Sequence, residues 1–365
     1  MTRTIELHAF SGLTGAHVRR LAATEASWSD SVNEVGSMDA KVVDDGRPGM
    51  RDAIRPYGSI IAALDGSAVL HAGYVTAYRY DRAARTYSVT AGGGATVLAK
   101  RLVLNKNLRA RWADGTVLVD EDNPPGDWTL TATGSYSDLI SALVSETETW
   151  GALPITPAAP TGGDKTRTWD CWDLATVLDR IQDIGDLENG PEWRFDPVLS
   201  DDWTISFAQV TSADGGEIVD HSWRWNALLP GAGVTLGDED VDGGLMASAC
   251  YATGGRDEDN LLVAHAADST LTGMGWPLLQ TANRSHTSVS VLKTLQSYAR
   301  ADVAAGDRGQ LTTELRVPST LRVHVGDHAR VRYGTADSDV VELKVTDVKG
   351  SMGSSQLTLG CREVG

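Results

Sequence analysis

Apolar and polar residues alternate with period two along much of the chain, which puts successive side chains on opposite faces of a strand. Ile5, Leu7 and Ala9 alternate near the start, and Met38, Ala40 and Val42 do so in GSMDAKVV. Between them, SWSDSVNEVG reads as a polar connection with a lone Trp28. SIIAALDGSAVLHAGYVTAYRYDRAARTYSVTA then reads as a meander, with Asp65-Gly66 as one hairpin turn and DRAAR as the next. Further on, GPEWRFDP sets Trp193 and Phe195 on one face and Glu192, Arg194 and Asp196 on the other. DDWTISFAQV repeats the pattern with Trp203, Ile205 and Phe207, and the turn-rich PVLSDD between them predicts a hairpin with one apolar face. The end alternates again in LRVHVGDHARVRY, VVELKVTDV and SSQLTLGCREV, with Val325-Gly326-Asp327 turning the first of these.

Helical periodicity is confined to three windows. SYSDLISALVSETETWG places Leu139, Ile140, Leu143 and Val144 on one face and ends at Gly151. WDCWDLATVLDRIQDIG carries Leu174, Val177, Leu178, Ile181 and Ile184 at helical spacing and stops at Gly185. ADGTVLVDEDNPPGD before the first helix reads as turn and loop, and ALPITPAAPTGGDK between the two as a linker. A third amphipathic stretch, VSVLKTLQSYARADVAA, covers about 289–305. The fold class expected is mainly β with α insertions. A first β domain spans 1–100, a helix-containing middle domain 101–187, and a second β domain 188–365 with the helix near 289–305 inserted. Sheets that return on themselves this often predict a sandwich or barrel, and each β region is long enough for a barrel of similar size.

Composition narrows the function. Asp plus Glu number 49 against 32 Lys plus Arg, a formal net charge of −17 over 365 residues. Such a surface repels nucleic acid and argues against sequence reading through phosphate contacts. It suits solubility, or a conduit through which DNA slides without adhering. Cys171, Cys250 and Cys361 are widely spaced, which gives neither a disulfide framework nor a zinc site. Cys361 continues the alternation of Leu357 and Leu359 and reads as buried. The N-terminus lacks the apolar core of a signal peptide, and no window is apolar enough to cross a membrane as a helix. Cytoplasmic synthesis is the expectation.

Candidate chemistry is sparse. Asp238, Asp240, Asp242 and Gly243 in GDEDVDGG match the start of a calcium loop, but the twelfth position is Ala249 and no helix pattern precedes it. An acidic surface loop is the plainer reading. Gly92, Gly93 and Gly94 in AGGGATVLAKR lack phosphate-loop spacing, Lys100 being followed by Arg101, and read as a flexible strand exit. His324 and His328 bracket a presumed turn and do not share a helix face. There is no G-x-S-x-G, no Cys–His arrangement, and no carboxylate pair singled out by spacing. Eleven Trp could build a sugar-stacking platform, yet Trp193, Trp203 and either Trp223 or Trp225 occupy strand positions that favour core packing. No catalytic, cofactor-binding or metal-binding residue is assigned, and no cofactor.

The order of segments carries a resemblance. A β-meander opened by a strand and SWSDSVNEVGSMDAKV is followed by a helical middle ending in WDLATVLDRIQDIG, then directly by GPEWRFDP. HTSVSVLKTLQSYARADV leads into a terminal β region with LRVHVGDHARVRY. This resembles the minor tail proteins of long-tailed actinobacteriophages, of the tail-hub type. The resemblance implies a non-enzymatic virion protein: a homotrimer with two tube-like β-barrel domains per chain. Its pseudo-sixfold ring would sit between the tail tube or distal tail ring above and tail-tip or fibre proteins below. It implies a place at the virion tail tip, with the tape measure protein in the lumen, DNA passing without specific binding, and no membrane partner. Trp193 and Phe195 would be core, with Glu192, Arg194 and Asp196 facing solvent or a neighbouring subunit. Many hubs carry a lytic or fibre extension; with the last strand ending near Gly365, host binding and wall cleavage are expected of other proteins. The competing readings are a carbohydrate-binding β-sandwich using exposed Trp and, behind it, a carboxylate hydrolase.

Overall fold

The computed structural model describes residues 5–111 and 128–364, apart from 213, 230, 232, 258–259, 287–288, 308–309 and 337–338. ADGTVLVDEDNPPGD lies outside the described residues. Among the described residues, no helix is long and apolar enough to cross a membrane.

Seven strands arise from the first β region: β1 Ile5–Ser11, β2 His17–Leu21, β3 Ala23–Ser31, β4 Ser37–Val43, β5 Ser59–Asp65, β6 Ala68–Asp81 and β7 Thr86–Gly92. The one-turn helix α1 Met50–Ala53 follows β4. The two turns fall where DG and DRAAR placed them, with φ of +63° at Gly66 and +52° at Arg85. SWSDSVNEVG is not a plain connection: Ser27–Ser31 belong to β3, and Trp28 is buried there. The missed strand is the joint of the molecule, as it pairs with β4 on one edge and with the C-terminal region on the other.

The middle and following segments give α2 Leu108–Arg111, β8 Thr129–Gly134, α3 Tyr136–Glu148, β9 Ile155–Thr156, β10 Lys165–Asp170, α4 Val177–Gly185, β11 Trp193–Leu199 and β12 Ile205–Thr211. Helix α3 buries Leu139, Ile140, Leu143 and Val144 and is held at its start by a capping box between Ser135 and Asp138. Helix α4 starts later than its periodicity indicated, because Thr176 and Asp179 form a second capping box. Leu174 therefore lies outside the helix, 54% exposed and left-handed at φ +50°. Residues 94–100 are a 3-10 helix and not a loose exit: a Cβ on Gly94 would lie 2.4 Å from the Phe207 ring.

The remaining elements are β13 Ser222–Asn226, β14 Thr235–Asp242, β15 Ala249–Asp257, β16 Asn260–Ala267, α5 Thr270–Gly273, β17 Gln280–Asn283, α6 Leu292–Ala305, β18 Gln310–Pro318, β19 His328–Arg332, β20 Val340–Ser351 and β21 Gln356–Glu363. Helix α6 falls in the expected window and packs Leu295, Ala299 and Val303 onto the small sheet β16-β15-β17. LRVHV is not a strand; β19 begins only at His328.

Among the described residues the sheets do not close into the expected pair of barrels. Strands of both β regions share one 13-stranded sheet, in the order β14-β18-β21-β20-β3-β4-β7-β6-β5-β1-β2, with β19 and β13 added beside β20. The cause is β3, whose second edge is taken by β20 in the register Ser351↔Ser27 to Asp347↔Ser31. β5 reads as an unbroken apolar run because both its faces are covered. Ile61 and Ala63 join a core with Leu7, Trp28 and Val89, while Ile60, Ala62 and Leu64 join another with α3, α4, Trp193 and Phe207. A third core, containing Leu315, Val331, Leu343 and Leu359, lies under the C-terminal strands. Cys361 is buried in it, as its alternation required.

Candidate functional site

Trp193 and Phe195 are buried as the opening alternation demanded, with ring centroids 6.1 Å apart. Trp203 is not their partner. It sits in the turn before β12 at φ +60°, 43% exposed, while Ile205 and Phe207 go inward. On the charged face of the hairpin Arg194 is buried too, contrary to expectation, while Glu192 and Asp196 are half-buried. The Arg194 guanidinium is chelated by Asp196, at 2.7 and 3.0 Å, and also reaches Asp220 and the Val325 carbonyl. Burial works against its charge, but the two carboxylates outweigh burial and hold its pKa above the usual arginine value.

Next to it, Lys344 is fully buried with Nζ 2.6 Å from both carboxylate oxygens of Glu192 and 3.3 Å from Glu217. Burial pulls the Lys344 ammonium below the usual lysine range, and Glu192 and Glu217 oppose that pull. Glu217 also receives Arg362 and His328. Despite partial burial, Lys344 and Arg362 bring its pKa down. These groups come from the start of β11, the segment before β13, and β19, β20 and β21. Chemically the cluster is a brace, since each carboxylate is already occupied by a cation. Pattern reading missed it because Lys344 lies on the polar phase of VVELKVTDV, and no local signal shows that the hairpin covers that face.

Candidate metal ligands fare in two ways. Asp238, Asp240 and Asp242 belong to the extended edge strand β14 and not to a loop, so their carboxylates do not wrap one point; Asp242 accepts the Gly244 N–H, and Ala249 is buried in β15. Among the described residues, ligand atoms converge only at Asp196, Asp220 and His324, within 4.8 Å. Arg194 already bonds both of those carboxylates, so a cation would have to displace a guanidinium. His324 and His328 are separated: His328 bonds Glu217, whereas the His324 N–H donates to the buried Asp327. Gly92, Gly93 and Gly94 are packed closely against Thr96, Val35 and Phe207, so each is a glycine because a side chain there would meet its neighbour. The exposed indoles among the described residues are Trp172, Trp203 and Trp276, on three separate segments, and they form no platform.

What the sheet does present is a continuous polar face. Thr90, Asp39, Ser27 and Ser351 lie in register across β7, β4, β3 and β20. Ser29, Lys349, Thr358, Arg316 and Thr235 continue it across β3, β20, β21, β18 and β14. Two of the cations on it have acidic neighbours, Arg316 2.7 Å from Glu314 and Lys41 3.9 Å from Glu25. Among the described residues this face, spanning both β regions, mixes hydroxyls with charges of both signs, which suits a phosphate backbone poorly.

No family profile matches the chain, and no curated protein matches it by sequence. Solved structures do match over nearly its whole length. A tail protein from Neisseria meningitidis MC58 aligns with TM-score 0.55 at 14% identity, covering 99% of this chain and 97% of that one. The fold is that of a phage tail protein. The 43 kDa tail protein of prophage MuSo2 from Shewanella oneidensis aligns with TM-score 0.53 at 10% identity, over 98% of both chains. An E. coli type VI secretion component, described as similar to the T4 tail proteins gp27 and gp5, aligns with TM-score 0.50 at 10% identity, over 94% of this chain and 74% of that one. At such identities the tail-protein likeness is one of fold alone.

Proposed function

We propose that this chain is a structural protein of a phage tail, the hub that joins the tail tube or distal tail ring to the tail tip. The observation that carries the reading is the joined sheet, whose polar face runs unbroken through β3 and β20 from one β region to the other. In this reading three copies form a ring. Residues 1–100 and 188–365 each contribute one of the six repeating units, and 101–187 braces them from the side away from the lumen. The polar face lines the conduit, where DNA and the tape measure protein pass without adhesion. Tail-tip or fibre proteins attach below. The narrower assignment, to hubs of long-tailed actinobacteriophages, rests on segment order and on phrases such as GPEWRFDP.

The test is negative-stain electron microscopy of the purified protein. The expected class averages show a ring with threefold or pseudo-sixfold symmetry and a central hole. Compact monomers whose tryptophan fluorescence is quenched by cell-wall sugars would replace this reading with the carbohydrate-binding one.

A further inference from the structure

His8 on β1 and His17 at the start of β2 bring two ring nitrogens together, His8 Nδ1 lying 3.0 Å from His17 Nε2. Among the described residues three ligand groups converge only at Asp196, Asp220 and His324, where Arg194 already bonds the carboxylates. The histidine pair is a smaller grouping, but no guanidinium lies between its nitrogens. The Glu6 carboxylate can only accept, so His8 Nε2, 3.3 Å from it, carries the ring hydrogen and Nδ1 turns a lone pair towards His17. Arg20 of β2 holds the other Glu6 oxygen at 3.1 Å. A carboxylate placed behind an imidazole in this way fixes the tautomer of metal-binding histidines.

Backbone irregularity is what brings the two rings together. The β1–β2 ladder runs His8↔Arg20 and Ala9↔Arg19, then shifts register so that Phe10 faces His17. Without the shift His17 would oppose Ser11 and its ring would lie on the face away from His8; a bulge re-aims a side chain in this way. The turn before β12 is fixed to the same corner. The His17 N–H donates to the Trp203 carbonyl, and the Ile205 N–H to the Gly15 carbonyl. Trp203 takes its left-handed φ of +60° there and lays its indole beside both rings, with centroids 5.3 Å from His8 and 5.2 Å from His17. His8 is buried and His17 exposed, so the pair opens to water on one side.

We propose that His8 Nδ1 and His17 Nε2 chelate a divalent transition-metal ion, with Cu²⁺ the best fit. Metal–imidazole bonds of about 2.0–2.1 Å reach two nitrogens 3.0 Å apart at an angle of roughly 90–100°. That is close to the right angle of tetragonal Cu²⁺ and narrower than the tetrahedral angle of Zn²⁺. Binding replaces the hydrogen bond between the rings: the His17 hydrogen sits on Nδ1, where water accepts it, and both facing nitrogens give lone pairs to the ion. Water fills the remaining positions. The ion then staples β2 to β1 beside Trp203. The proposal does not depend on the hub reading.

The test titrates Cu²⁺ into the untagged chain, stripped of metal with a chelator and then freed of the chelator. Calorimetry reads binding, tryptophan fluorescence reads proximity to Trp203, and electron paramagnetic resonance reads the coordinated nitrogens. The wild type is expected to bind a single ion with a resonance coupled to two imidazole nitrogens. Its fluorescence should be partly quenched, and Trp203→Phe should abolish that quenching while leaving binding intact. His17→Gln should weaken binding by about tenfold or more, and Glu6→Gln by about tenfold through loss of tautomer control. Equal affinity in His17→Gln would place the ion on other exposed histidines, such as His221 or His265, and overturns the proposal. A resonance with fewer than two imidazole nitrogens, or no saturable binding, overturns it as well. Should His17→Gln fail to fold, Trp203→Phe decides: quenching that survives in it places the ion away from this corner.

Discussion

Gly350 sits across the β3–β20 ladder from Trp28, so close that a Cβ on it would lie 2.5 Å from the indole ring. The seam between the two β regions thus closes because one strand carries no side chain where the other carries its largest. Gly350→Ala should destabilise the protein by about 1–3 kcal/mol through overpacking. Urea unfolding measures it, and an unchanged midpoint would mean that the seam is loose.

The buried brace should respond asymmetrically. Lys344→Ala leaves Glu192 and Glu217 facing each other without their ammonium, and should cost about 3–5 kcal/mol. Lys344→Met combined with Glu192→Gln should cost clearly less than the sum of the two single changes. A double-mutant cycle from urea melts gives the coupling; additive losses would show that the pair does not interact.

His8 and His17 predict a weakness in acid. His8 Nδ1 lies 3.0 Å from His17 Nε2, and both rings pack within about 5.3 Å of Trp203. Burial lowers both pKa values below the ordinary 6.5, with Glu6 partly opposing this at His8 and the neighbouring ring adding to it at His17. A depressed folded pKa means that the unfolded chain binds protons first, so this stability is present above pH 6.5 and fades as the pH falls below it. Thermal melts at pH 8 and pH 5.5 should differ, and His17→Phe should shrink the difference. An equal difference in that variant would place the sensitivity elsewhere.

The start of α4 separates two accounts of one segment. If Leu174 belonged to the helical core, Leu174→Gly would cost several kcal/mol. With Leu174 exposed at φ +50°, the same change relieves a left-handed backbone and should leave Tm level or raise it. Thr176→Ala should instead cost about 1 kcal/mol through loss of the cap. Calorimetry of the two variants distinguishes the accounts by sign.

Local pattern was enough for the elements whose burial follows their own periodicity: the meander through Gly66 and Arg85, helices α3 and α6, the buried Trp193, Phe195 and Cys361. Each of these is dictated by side chains three or four apart on a helix or two apart on a strand. Tertiary structure decided what depends on a second surface. Trp28 marked a strand only because β20 lies beside it, and the polar Ser27, Ser29 and Ser31 hid that strand from any hydrophobic count. Arg194 and Lys344 stand on polar phases yet are buried, since charges 26 to 152 residues apart in sequence meet there. Alternation along a strand fixes which side chains share a face, not whether that face meets water, another sheet or a counterion. Nor does it fix what pairs with the strand's outer edge, and that edge is where one β region was joined to the other.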